Sequence, residues 1–168
     1  MKRLYKSIVP ALLSFVIYVV YTGSLRLYDI VTGVLVSVVV GVLTSNLLIE
    51  DWRKSLSLRR FVSLVRFALR YFFIDEVKSH LLLIRLSLSP KLDLRPAIVK
   101  MPIKTRNDYG ITLVSLAITN TPGTVVVDLN KEKGNIYVHW IYAKTTSPEE
   151  SYKEVSEVFD KYALKIFD

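Results

Sequence analysis

Two apolar runs open the chain, and the polar positions around them divide the rest. Ile30 to Ile49 reads IVTGVLVSVVVGVLTSNLLI, 20 residues without a charge. At about 1.5 Å rise per residue, a helix of that length crosses a hydrocarbon core of roughly 30 Å. Asp29 closes the run on one side, Glu50 and Asp51 on the other. Gly33, Ser37, Gly41 and Ser45 recur every fourth residue within it, which places four small side chains on one helix face. Another helix backbone can approach such a face closely, so the span is expected to pack against helices of this chain or of partners. Thr32, Thr44, Ser45 and Asn46 are expected to serve helix–helix hydrogen bonds. Leu4–Thr22 is the other span. Its basic start resembles a signal peptide, but Tyr18, Tyr21 and Thr22 stand where a small-residue cleavage site would be, so it is expected to be retained. Tyr5, Tyr18, Tyr21 and Tyr28 suit an aromatic belt, and Pro10 is expected in the first turns, where a missing N–H is tolerated.

Periodicity changes after the spans. In Leu56–Leu88, Arg59, Ser63, Arg66 and Arg70 share a helical stripe, with Phe61, Val65, Phe67, Leu69 and Phe72 around it. That pattern predicts a basic amphipathic helix, broken in places, lying along the membrane surface with its arginines toward head groups. A third span is the competing reading. It would put Arg66 and Arg70 in or near hydrocarbon, at roughly 2.5–3.5 kcal/mol each at mid-depth. Ser89-Pro90 and Arg95-Pro96 mark a linker. Beyond it, Ala97–Ile103 reads as a strand and Asp108–Thr119 as a helix capped by Asn107 or Asp108. Asn120–Gly123 is a turn, and Thr124–Asn130 and Asn135–Ala143 are strands joined through Lys131–Gly134. Ser147-Pro148-Glu149-Glu150 reads as a capping box before a last helix with Val155, Val158, Phe159 and Tyr162 on its apolar face. The expected class is α+β: a helical hairpin in 1–55, the amphipathic helix in 56–90, and a β-α-β-β-α domain in 91–168 with helices on one sheet face.

Charge fixes the expected orientation. Residues 1–96 hold 14 Lys/Arg against 6 Asp/Glu, and residues 97–168 hold 9 against 9. The surplus flanks the spans, where it faces anionic lipid and places both ends of the hairpin in the cytoplasm. The neutral last domain argues against a nucleic-acid-binding role. With no cysteine there is no disulfide, thiol nucleophile or Cys-based metal site. No phosphate-binding glycine loop is present, and no cofactor or metal site is signalled. His80 and His139 are the only histidines. His139 reads as a strand histidine satisfied by a backbone group, and a set of Ser115, His139 and Asp128 can be drawn only on paper. Neither span has Asp, Glu, Lys or His at depth, so the chain is not expected to carry ions alone.

The stretch LAITNTPGTVVVD (116–128), followed by IYVHWI (136–141), resembles the E subunit of the Mrp-type multisubunit cation/proton antiporters. The order of parts is similar too, and the resemblance covers nearly the whole chain. Thr121, Pro122, Gly123 and Thr124 form the core of the signature, while Asn120 stands where the family usually has an apolar residue. Physically, Pro122-Gly123 is a turn signal between helix and strand, with no binding role required. The resemblance implies a non-catalytic accessory subunit of a complex exchanging sodium for protons, with other membrane subunits and the bilayer as partners. Related modules in archaeal membrane-bound hydrogenases and sulfur reductases are the alternative host. A free-standing membrane enzyme or transporter lacks the intramembrane charges it would need, and an anchored nucleic-acid or signalling module lacks a charged domain.

Overall fold

The computed structural model describes residues 2–91 and 94–168, with side chains from Leu4 onward in the first stretch. The basic side chains of Lys2 and Arg3 and the middle of the linker lie outside the described residues. The chain divides into two compact units, Met1–Leu58 and Arg59–Asp168.

The first unit is a helical hairpin. Helix α1 (Lys2–Thr22) and helix α2 (Leu27–Leu48) are both long and apolar enough to cross a membrane. Ser24 Oγ donates to Asp29 Oδ2 at 2.5 Å across the connection. A short helix α3 (Trp52–Ser55) follows, started by the Asp51 side chain, which accepts from the Arg53 N–H. Trp52 stacks on Tyr5 with ring centroids 4.8 Å apart, so the start of α1 and the exit of α2 lie side by side. Because α1 begins at Lys2, Pro10 falls in the third turn rather than the first turns, and the Lys6 carbonyl loses its usual helical donor.

The second unit is α+β. Helix α4 (Leu58–Arg70) runs through a π-turn at Tyr71–Asp75 into helix α5 (Glu76–Ser87). Strands β1 (Ala97–Pro102), β2 (Thr124–Asn130) and β3 (Asn135–Trp140) form an antiparallel sheet in the order β1-β3-β2. Period-2 alternation sends Val99, Met101, Ile136, Val138 and Trp140 to one face, where they are buried. Helix α6 (Asp108–Asn120) supplies Ile111, Val114, Ala117 and Ile118 to that core. Asn107 starts it, its Oδ1 accepting from the Tyr109 N–H at 2.9 Å. Helix α7 (Pro148–Ser151) passes through a second π-turn, Tyr152–Ser156, into helix α8 (Glu157–Ile166). Pro148 takes the first helical position, but Ser147 makes no side-chain cap bond. The capping box does not form because Glu150 accepts from the Thr145 hydroxyl at 2.6 Å instead. Strand β3 ends at Trp140, short of Ala143, because Arg95 bridges to Tyr142 and its carbonyl takes the Ala143 N–H at 2.9 Å.

The amphipathic segment is not a separate layer. Phe67 and Tyr71 belong to the core of the second unit, packing on Phe159 at 6.3 and 5.9 Å. Arg60 donates to the Ile166 carbonyl at 2.6 Å, a cation on the C-terminal end of α8. Phe61, Val65, Leu69, Phe72 and Phe73 remain exposed on the other side.

Candidate functional site

Three places could carry function: the seam of the hairpin, the signature turn, and a groove beside that turn. The seam is built from the small-residue stripe. Gly33, Ser37, Gly41 and Ser45 are the buried residues of α2. A Cβ added at Gly41 would lie 2.7 Å from the Ala11 Cβ and 2.8 Å from the Ser7 carbonyl oxygen. At Gly33 it would lie 2.7 Å from the Tyr18 ring. The small-residue face therefore meets α1 of the same chain, and the Tyr18 ring lies against Gly33. The hydroxyls of the span also differ from expectation. Thr32 and Thr44 donate to the carbonyls of Tyr28 and Val40, both at 2.8 Å, and Ser45 to that of Val42 at 3.0 Å. A hydroxyl closes on its own helix more readily than it reaches a neighbour. Ser37 Oγ is buried without a hydrogen-bond partner among the described residues.

The signature turn ends α6 and starts β2. Gly123 has φ of +98°, which favours glycine, and its carbonyl accepts from the Ile141 N–H at 2.9 Å. Thr121 Oγ1 donates to the Ala117 carbonyl at 2.6 Å and Thr124 Oγ1 to that of Ile118 at 2.7 Å, which gives two of the last four carbonyls of α6 a donor. The Tyr71 hydroxyl donates to the Glu76 carboxylate, and the side chain of Thr121 lies beside it. Burial and then Glu76 push that phenol up to about 12, while Thr121 pulls it down. The turn is thus the place where the first π-turn docks on the α+β core.

Beside it lies a groove of about 450 Å³, lined by α5, both π-turns and the signature residues Thr121, Pro122 and Thr124. Its floor includes Trp140 and Phe159, and its walls carry Arg70, Asp75, Lys78, Lys144, Lys153 and Glu154. Arg70 Nε lies 3.3 Å from Asp75 Oδ2, and Lys144 Nζ lies 2.5 Å from Glu154 Oε2. Arg59 and Arg66 point to solvent while Arg70 turns into this groove, so the basic stripe is split. The reason is the aromatic pair Phe67 and Tyr71, which draws the Arg70 side of α4 onto α8.

The remaining candidates are scattered. His139 lies between Ile98 and Val125 on the outer sheet face, and its ring makes no hydrogen bond among the described residues, contrary to the expected backbone partner. Asp128 is opposite Tyr137 on that same face, whereas Ser115 is on α6 across the sheet, so no triad is assembled. His80 Nδ1 meets the Glu76 carbonyl oxygen at 2.9 Å. No metal-ligating cluster occurs among the described residues. The groove lysines and the buried Asp160 carry no sequence motif. Asp160 is fully buried and accepts from the backbone N–H groups of Lys104 and Thr105, at 2.9 and 3.0 Å, and from the Tyr152 hydroxyl at 3.0 Å.

The family model described as "MNHE: Na+/H+ ion antiporter subunit" matches residues 11–166. The E subunit of the Na(+)/H(+) antiporter of Alkalihalophilus pseudofirmus is 27% identical over 155 residues, 92% of this chain and 96% of that one. Its counterpart in Bacillus subtilis is 28% identical over 130 residues, 77% of this chain and 80% of that one. A chain from the solved structure of the membrane-bound sulfane sulfur reductase, an archaeal respiratory membrane complex, has the same fold. Its TM-score is 0.83 over 99% of this chain and 100% of that chain, at 23% identity.

Proposed function

The chain belongs to the Na+/H+ ion antiporter subunit family MNHE, and on that premise we propose that it is a non-catalytic integral-membrane subunit of a multisubunit cation/proton antiporter. Its role is to assemble and stabilise the ion-translocating complex. The observation that carries this is the family match across both the hairpin and the α+β unit. Physical support comes from the hairpin. Moving a cation through hydrocarbon needs a polar or aqueous path. The α1–α2 seam is filled by Ala11, Phe15 and Tyr18 against Gly33 and Gly41, and the ionisable residues Lys6 and Asp29 stand near helix ends. The basic surplus beside the hairpin supports a cytoplasmic α+β unit. The exposed Phe61, Val65, Leu69 and Phe72, flanked by Arg59 and Arg66, support contact of α4 with the membrane surface.

In proteoliposomes holding the purified subunit alone, a sodium gradient should give no proton flux above empty vesicles. In cells lacking it, the other subunits should be made but poorly assembled. Robust exchange by the subunit alone would refute the scaffold role. The subunits that co-purify distinguish a stand-alone antiporter from a hydrogenase or sulfur reductase host.

A further inference from the structure

We propose that the groove between α5 and the second π-turn is the docking site for an acidic, apolar-anchored peptide segment of a neighbouring subunit. This rests on the reading of the chain as a subunit of a larger assembly. The charge around the groove is uneven. Four cations, Arg70, Lys78, Lys144 and Lys153, line it with two carboxylates, Asp75 and Glu154. Asp75 is met by Arg70 and Glu154 by Lys144. Lys78 and Lys153 then stand on separate elements without a carboxylate partner among the described residues, in a unit whose strand-bearing part, 97–168, is neutral as a whole.

The floor decides the occupant. Trp140 and Phe159 form an aromatic floor under a space of about 450 Å³. An apolar anchor seated there would bring its flanking carboxylates to Lys78 and Lys153. Lysines pair with phosphate as well as with carboxylate, so it is the aromatic floor, which suits an apolar side chain rather than a head group, that favours the peptide. The groove's one arginine is already held by Asp75, and the two remaining cations are lysines, which act as single point charges. Both π-turns edge the space, and such turns recur at functional positions.

The experiment uses the intact complex purified from cells. A carbodiimide joins a lysine amine to a carboxylate only when the two touch. Lys78 and Lys153 should be linked to Asp or Glu of another subunit, identified by peptide mass spectrometry. Both amines should acylate more slowly in the complex than in the isolated chain. Lys78→Glu with Lys153→Glu should weaken retention of the chain about thirty-fold or more, the lower end for disrupting interfacial charge pairs. The same charge change at Lys100 and Lys133 should not. Links confined to Asp75 and Glu154, with acylation as fast as in the free chain, would overturn the proposal while leaving co-purification intact. Protection that disappears on delipidation with the complex still assembled would overturn it in favour of lipid. Failure of the unaltered chain to co-purify with any other subunit would instead defeat the functional reading beneath it.

Discussion

Replacing Asp160 should cost the second unit more than any exposed ion pair. The carboxylate is fully buried and accepts three hydrogen bonds, from the Lys104 and Thr105 N–H groups and the Tyr152 hydroxyl. Together these pin the chain leaving β1 onto α8. In Asp160→Ala the Lys104 N–H is near enough to the surface to find water. Thr105 and Tyr152 are buried and would leave orphaned donors, at about 1–3 kcal/mol each. Release of the buried charge offsets part of this, while the lost side chain leaves a small cavity, so the net is about 3–5 kcal/mol. For a unit of this size that lowers the melting temperature by roughly 12–20 °C. Asp160→Asn keeps the shape and one acceptor, and should cost about half as much. Glu154→Ala, which breaks the exposed pair with Lys144, should cost less than about 1 kcal/mol. The assay is thermal unfolding in detergent followed by Trp140 fluorescence, with Trp52→Phe removing the other indole. A shift for Asp160→Ala no larger than that for Glu154→Ala would refute the argument from burial.

Gly41→Ala should already loosen the hairpin, because its Cβ would meet the Ser7 backbone oxygen at 2.8 Å; Gly41→Leu should cost about 1–3 kcal/mol and cut the yield of co-purified complex. Gly33→Ala should be milder, since the Tyr18 ring can rotate away, and equal yields for the two alanine variants would contradict this. Tyr71 holds its proton more tightly folded, at about 12, than at its ordinary 10.0, so its contribution to stability is complete below pH 10 and is lost as pH rises through 12. Melting curves across that range should flatten in Tyr71→Phe. Cysteines introduced singly at Ser24 and Ser147 should differ toward an impermeant thiol reagent applied to intact cells: Ser24→Cys is labelled, and labelling of Ser147→Cys would refute a cytoplasmic domain.

Much of this architecture is legible in the residues themselves. A four-residue repeat on a helix leaves Gly33, Ser37, Gly41 and Ser45 only one face to share, and the alternation in AIVKMP and NIYVHW assigns each strand an inside. What periodicity cannot supply is the identity of the surface an apolar stripe will cover. Phe67 and Phe61 look alike in sequence, yet one enters the aromatic core and the other stays exposed. The two π-turns are hidden as well, since each adds a residue to a turn without any breaker to mark it. Asp160 sits in a helical run with Lys153, Glu154, Glu157 and Lys161, where a carboxylate reads as one more solvated charge. Its two backbone donors, Lys104 and Thr105, come from more than 50 positions earlier in the chain, and no local pattern contains them. The groove is likewise assembled from α5, the signature turn and the second π-turn, so its lysines acquire meaning only once the chain has folded back.

The central strand of the sheet is the last one made. Strand β3 must be present before β1 and β2 have a common neighbour, and the aromatic face of α4 waits longer still, for Phe159 and Tyr162 near the end of the chain. During synthesis the two apolar helices leave the ribosome before the second unit, and their insertion precedes any closed form of it. Phe67 and Tyr71 stay uncovered through that interval, and such surfaces attract chaperones and proteases. Synthesis of α8 therefore acts as a checkpoint on the second unit. Nascent chains arrested before residue 157 should be cut by added protease within the α4 segment, whereas chains that include α8 should resist; equal resistance of both would show that α4 is covered without α8.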